Sequence, residues 1–420
     1  MKSGTATLIQ LPKVHRHVLL HPAFLFISVW VLAGVLYAAR LSHLLKFGVD
    51  AVLEVLCAIV LPFAFVSLLS WILSLSHTSA SRTQESVRFL NSSVCRRRIH
   101  RLFLVWAFLS LVEIVHAKGT PFIWLILNIP RDYFSFGIPS LHGMLNAMIL
   151  GISAASFFMY KVEKRQRHLV IPIICLAWSI IIISRQILVT ALVEFAVIMI
   201  ATQRFSLGKK VSLSFAALGA VVFFGLIGNF RTGLESFTAL AQPRNFPDWI
   251  PSGFLWGYMY LTTPLNNLLN TIALVTPAGD PIFKETVAQL FPTVIRNIVY
   301  GDIALVGPKL VEPAFNTSTA FCQPFIDMGF FGIILFSTSI SVVVNCLWYR
   351  RKITSLPTYA VLAQCLLIST FVNPFFYLPI ITQVVWTFLI FRGTERSFPV
   401  SQLKSCPVQP GGNSNLQACG

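Results

Sequence analysis

Apolar runs close to the 20 residues that cross a hydrocarbon core about 30 Å thick recur along this chain. Ten read as candidate spans: Pro22–Ala39, Asp50–Leu75, Leu102–Ala117, Ser140–Tyr160, Leu169–Ile183, Ile187–Gln203, Val211–Gly228, Phe330–Trp348, Thr358–Tyr377 and Pro379–Phe391. The fifth and sixth meet at Ser184–Gln186, which predicts a tight helical hairpin. The last is short, so it is expected to tilt little or to be partly re-entrant. The first is long and lacks a small-residue cleavage site, so it reads as a signal anchor.

The polar connections alternate in charge. Arg82, Arg88, Arg96, Arg97, Arg98, Arg101, Lys161, Lys164, Arg165 and Arg167 fall on one side of the predicted spans, with Arg204, Lys209, Lys210, Arg350, Arg351, Lys352, Arg392, Arg396 and Lys404. The positive-inside rule makes that side, and both termini, cytoplasmic. Composition agrees with the spans. The 420 residues are 55% hydrophobic and 11% charged, with a mean hydropathy of +0.74. A soluble domain carries roughly 25% charged residues, so soluble enzymes and nucleic-acid binders are excluded. The net charge of +17 is then a topology signal, with attraction to anionic lipid as a secondary effect. Neither the scattered histidines nor the cysteines show metal-ligand spacing, and only Cys322 of the eight cysteines is expected on the oxidising side.

The organisation is lopsided. Residues 1–228 read as an N-terminal bundle, 229–329 as a large external loop, 330–391 as C-terminal helices, and 392–420 as a cytoplasmic tail, polar and disordered from about Ser397. A loop of that length is usually functional. Its apolar part, Phe254–Leu274, reads as amphipathic helices on or dipping into the outer leaflet, with Trp249, Trp256, Tyr258 and Tyr260 at interfacial depth.

Arginines approach the outer surface from three elements: Arg131, Arg185 at the hairpin tip, and Arg231 with Arg244. The planar guanidinium makes bidentate, charge-assisted hydrogen bonds to phosphate, and a lipid-linked diphosphate would sit at this depth. Each arginine could equally serve a neighbouring acid, Arg131 with Asp132 and Arg231 with Glu235.

Several strings, in order, resemble the Wzy-type O-antigen polymerases. They are Phe136-Gly137-Ile138-Pro139 with Leu141-His142-Gly143, Ser184-Arg185, Gly228-Asn229-Phe230-Arg231, Tyr260 through Asn267, Asn316-Thr317-Ser318-Thr319, and Asp327 through Gly332. The resemblance implies an all-α, GT-C-like inner-membrane glycosyltransferase. Such an enzyme transfers a growing glycan from one undecaprenyl diphosphate onto a second carrier-linked repeat unit at the periplasmic face. It uses no cofactor or metal and works beside a Wzz-type chain-length regulator. Arg185, Arg231, Arg131 and Arg244 would clamp the diphosphate. His142, Asp327, Glu235 and Asp132 are candidates for the acceptor of the hydroxyl proton. Asn266, Asn316 and Tyr260 would orient sugar or carrier. His142 could instead cap the fourth span, Asn316 a turn, and Asp327 could close the loop against the eighth helix.

Two other readings stay open. An O-antigen ligase would share the fold, but such ligases carry a histidine where Phe315 stands. A flippase or transporter would use intramembrane acids such as Glu113 and Glu194, but the chain shows no internal repeat.

Overall fold

The computed structural model describes residues 8–11, 17–80, 86–131, 135–203, 233–244, 246–247, 249–300, 305–349 and 352–399, with single positions at 208, 219, 225, 228 and 229. The chain is mostly helical. In order, the helices are α1 (Pro22–Ala38), α2 (Val49–Ala80), α3 (Ser92–Ala117), α4 (Pro121–Ile126), α5 (Leu141–Glu163), α6 (Val170–Ile181) and α7 (Arg185–Thr202). After these come α8 (Leu234–Ala241), α9 (Ser252–Leu274), α10 (Lys284–Val287), α11 (Thr293–Tyr300), α12 (Cys322–Tyr349), α13 (Leu356–Ile368) and α14 (Leu378–Phe391). The candidate span Val211–Gly228 falls largely outside the described residues.

Among the described residues, five helical segments are long and apolar enough to cross a bilayer: Val49–Ser76, Ser92–Ile126, Leu141–Glu163, Arg185–Thr202 and Cys322–Tyr349. Four shorter apolar helices pack among them. Leu61, Phe65, Leu68 and Ile72 on α2 and Leu104, Phe108, Leu111 and Val115 on α3 are exposed. A band of that size is stable against hydrocarbon and not against water.

The helix starts follow local rules. The His21 ring accepts the Ala23 N–H (3.2 Å) ahead of Pro22, and the Ser184 hydroxyl accepts the Ile187 N–H (3.5 Å), which opens α7 directly after the turn from α6. The hairpin expected at Ser184–Gln186 is therefore present. Between α2 and α12, the Ser337 hydroxyl donates to the Ile59 carbonyl (2.6 Å), Ser341 to that of Phe63 (2.9 Å), and the Asn345 amide to Ser67 Oγ (2.9 Å). Small polar side chains of this kind join helices where lipid removes the hydrophobic drive for association.

A small sheet supplements the helices. Strands β1 (Leu8–Gln10), β2 (Ser86–Asn91) and β3 (Glu395–Pro399) pair antiparallel in that order, with Ile9 opposite Leu90 and Phe89 opposite Arg396. It draws the N-terminal segment, the α2–α3 connection and the chain after α14 to one end of the bundle. The expectation of a disordered tail from Ser397 is corrected as far as Pro399, because Ser86, Val87 and Arg88 supply a ladder for that segment. Residues 400–420 lie outside the described set. At this end Arg98 donates to the carbonyls of Leu389, Ile390 and Arg392 (2.9, 3.0 and 2.7 Å), and Arg96 pairs with buried Glu163 (2.8 Å).

The opposite end carries the α1–α2 turn, residues 118–131 and 135–140, the α6–α7 turn, the described residues between α8 and α12, and residues 369–377. Here the structure corrects the interfacial reading of Phe254–Leu274. The segment is one helix, α9, packed against α1, α2 and α12 inside the protein. Trp256 and Tyr258 are buried, whereas Trp249 alone of the four named aromatics is largely exposed (82%). The polar groups of α9 are satisfied at a distance. Asn267 donates to the carbonyls of Phe315 and Thr317 (2.9 and 2.7 Å) and accepts the Val311 N–H (2.9 Å). Replacing Asn267 by Ala should therefore cost about 3 kcal/mol, because each buried group left unpaired costs about 1–3 kcal/mol. Asn316→Ala, at an exposed position, should stay within about 0.5 kcal/mol. Thermal unfolding in detergent separates the two, and equal losses would discount the clamp.

The eighth predicted span also begins earlier than its hydropathy suggested. Helix α12 starts at Cys322 and breaks at Met328 and Gly329, whose φ of +62° glycine adopts without strain. Just before the break, the Asp327 carboxylate accepts the N–H groups of Glu285 (2.8 Å) and Thr286 (3.0 Å) and the Thr286 hydroxyl (2.7 Å). Asp327 thus fastens α10, and the chain leading to α11, onto α12.

Candidate functional site

At the end opposite the sheet lies a cavity of about 710 Å³. Its walls come from four separated stretches: Phe136–Gly143 with Asn146, Ile182–Gln186, the segment from Gln289 to Arg296, and Tyr377–Pro379. Each stretch leads into, or forms, the first turn of a helix, respectively α5, α7, α11 and α14. Four helix N-termini therefore face one space. The peptide dipoles place roughly half a positive charge at each such end, and N-terminal N–H groups are donors that lack an intrahelical partner. No side chain caps α5 or α14, although the His142 N–H donates to the Ile138 carbonyl, the Ile380 N–H donates to the Tyr377 carbonyl, and Pro379 has no N–H. Arg296 adds a full charge, and among the described residues no Asp or Glu lines the wall. Among the described residues Arg296 makes no ion pair. The arrangement can hold a polyvalent anion.

The local sequence around His142 seats that side chain. Gly137 has a φ of +97°, and a Cβ there would come within 2.6 Å of the His142 ring. Phe136 packs its ring edge-on against the imidazole at 5.2 Å. His142 Nδ1 lies 3.1 Å from Glu113 Oε2, and Nε2 lies 2.9 Å from the Asn146 amide nitrogen. The string from Phe136 to Gly143 is thus one device that brings a histidine to the cavity wall.

The other residues singled out from the sequence fall in several places. Arg185 is the first residue of α7, partly exposed, between the wall residues Ser184 and Gln186. Arg131 stands away from the cavity wall. It donates to the Ala117 carbonyl at the end of α3 (2.8 Å) and lies over the Trp124 ring (5.4 Å), which is a helix-terminating role. Arg244 and Glu235 are exposed on the α8 side and do not line the cavity. Arg231 and Asp132 lie outside the described residues. Asn266 is fully buried, accepting from the Tyr37 hydroxyl (2.6 Å) and donating to the Leu44 carbonyl (2.9 Å), so it locks α9 to α1 and has no face open to a sugar. Tyr260 stacks on Phe371 (5.0 Å), and Asn316 is exposed at a distance from the cavity wall. Asp327 is buried with its carboxylate engaged as described above.

The structure therefore gathers His142, Ser184 and Gln186 at one cavity and adds Arg296, Asn146 and Tyr377, which sequence reasoning had not chosen. Arg296 did carry a signal: it sits in Phe291-Pro292-Thr293-Val294-Ile295-Arg296-Asn297 with no acid within four residues, so it has no local partner. The strings after the seventh span do a different job. The Asn229 side chain accepts the Trp256 indole N–H (2.9 Å), and Trp256 stacks on Phe237 at 3.6 Å. Comparison of the chain with protein-family models, curated proteins and solved structures gives no match.

Proposed function

We propose that this protein is a polymerase of O-antigen or a related surface polysaccharide. It would transfer a growing glycan from undecaprenyl diphosphate onto a second carrier-linked repeat unit, at the periplasmic face of a bacterial inner membrane. The observation that carries this reading is the cavity on which Arg296 and four helix N-termini converge, with no acid in its wall among the described residues. A diphosphate is already a good leaving group, so the chemistry needs no acid to protonate it. It needs fixed positive charge where negative charge grows as the glycosidic C–O bond breaks. Arg296 supplies that charge, with Arg185 beside the wall residues Ser184 and Gln186, and the positive dipole ends of the four helices add to it. The volume of about 710 Å³ admits a diphosphate with its first sugar, within the usual range of ligand pockets. A Wzz-type regulator would set chain length on the same surface.

Removing the protein from its host should collapse a long surface-glycan ladder to single repeat units on the lipid core. Persistence of the ladder overturns the reading. Loss of repeat units from the core altogether points to a ligase, and accumulation of carrier-linked units on the cytoplasmic face to a flippase.

A further inference from the structure

Glu113, on α3, is fully buried, and its two oxygens are committed to the residues that form the cavity wall. Oε1 accepts the Ile138 N–H at 3.1 Å and Oε2 faces His142 Nδ1 at 3.1 Å. On the far side of the ring, Nε2 meets the Asn146 amide nitrogen at 2.9 Å, and Asn146 Oδ1 accepts the Trp178 indole N–H at 3.0 Å. This chain of contacts fixes proton positions. An indole N–H only donates, so the oxygen of Asn146 faces it and the NH2 group is left for the histidine. Nε2 must then offer its lone pair, and Nδ1 carries the proton that goes to Glu113. The order carboxylate, Nδ1–H, Nε2 lone pair is that of a histidine prepared to accept a proton.

We propose that Glu113, Asn146 and Trp178 are positioning residues that hold His142 Nε2 as the acceptor of the proton of the incoming sugar hydroxyl. The inference rests on the transfer reading above. In the step, the hydroxyl takes the place of the Asn146 N–H at Nε2, so one hydrogen bond is exchanged for another. The hydroxyl oxygen forms a bond to the anomeric carbon of the donor glycan, and its proton passes to Nε2. The bond from that carbon to the diphosphate oxygen breaks, its electron pair staying on the diphosphate beside Arg296. The imidazolium, held against Glu113, returns the proton to water when the product leaves.

Glu113→Gln tests this with little change in shape. The Ile138 N–H still requires an oxygen opposite it, so the new NH2 group faces Nδ1; amide NH2 groups then meet both ring nitrogens, the single Nδ1–H tautomer is lost, and no carboxylate remains to hold the imidazolium. In protein reconstituted in nanodiscs, with carrier-linked repeat units extracted from cells lacking the protein, kcat should fall about 10²- to 10⁴-fold, the usual worth of a positioned base, with KM little changed. Nitrogen-15 histidine spectra, with the His142 signals identified by their loss in His142→Asn, should change from Nδ1–H alone to a mixture in which Nε2–H appears. A Glu113→Gln protein with mixed tautomers and wild-type kcat overturns the inference, as does one that keeps Nδ1–H alone. If Glu113→Gln does not accumulate, Trp178→Phe releases Asn146, and both tautomers with a several-fold lower kcat are expected. A single Nδ1–H spectrum in that variant overturns the positioning chain. A wild-type protein that builds no polymer from these units sinks the transfer reading itself, whatever the tautomer.

Discussion

Arg296→Ala is expected to lower glycan transfer about 10²- to 10³-fold, the loss that follows removal of one preorganised charge-stabilising donor. On the proposed reaction the effect should fall on kcat, because the charge that Arg296 would meet is largest as the glycosidic bond breaks. Arg296→Lys should recover only part of the rate, since an ammonium cannot make the paired hydrogen bonds of a guanidinium. Arg296 is partly exposed and makes no ion pair among the described residues, so unfolding temperature should barely change. Arg131→Ala provides the contrast. It removes the donor to the Ala117 carbonyl and should cost about 1 kcal/mol of stability while transfer continues. Rate assays beside thermal melts decide the matter, and equal rates for the Arg296→Ala and wild-type proteins would remove Arg296 from the site.

Asp327→Ala is expected to be the most destabilising single change discussed here, at about 3–5 kcal/mol. It strands the N–H groups of Glu285 and Thr286 and the Thr286 hydroxyl in a buried place, and each such group costs about 1–3 kcal/mol. Because α10 leads directly to the segment from Gln289 to Arg296, transfer should fall together with stability, and limited proteolysis should cut between residues 280 and 300. The sequence reading that Asp327 accepts a proton makes the opposite forecast: an Asp327→Ala protein that melts like wild type and has lost its rate.

The membrane helices were legible because their signal is local. An apolar run of bilayer length, or a Ser184 placed to cap the helix that follows it, needs no knowledge of the rest of the chain. Helix α9 was not legible for the converse reason. Its threonines, asparagines and aromatics look like an interfacial mixture, yet Thr262, Thr263 and Thr271 return their hydroxyls to carbonyls one turn back. Asn266 and Asn267 meanwhile find partners at Tyr37, Leu44, Val311, Phe315 and Thr317. Polar residues that are satisfied by distant chain read, in a sequence, like residues that face water.

The candidate site shows the same division. His142 and the hairpin tip were found because Gly137, Pro139 and Ser184 mark sharp local turns. Arg296 was passed over because its place at the cavity is set by Asp327, which holds α10 from 31 residues further along the chain. Glu113 drew notice only as an acid within a span, since its partner His142 is 29 residues away. The charge that makes the cavity a candidate anion site lies mostly in backbone dipoles, which no residue type reports.

A density map of the protein in nanodiscs with undecaprenyl diphosphate added shows whether the cavity takes the carrier headgroup. Both phosphates are expected inside the cavity, between the first turns of α5, α7 and α14 and within hydrogen-bonding reach of Arg296. A carrier headgroup resolved elsewhere on the protein, with the cavity holding only solvent, would contradict it.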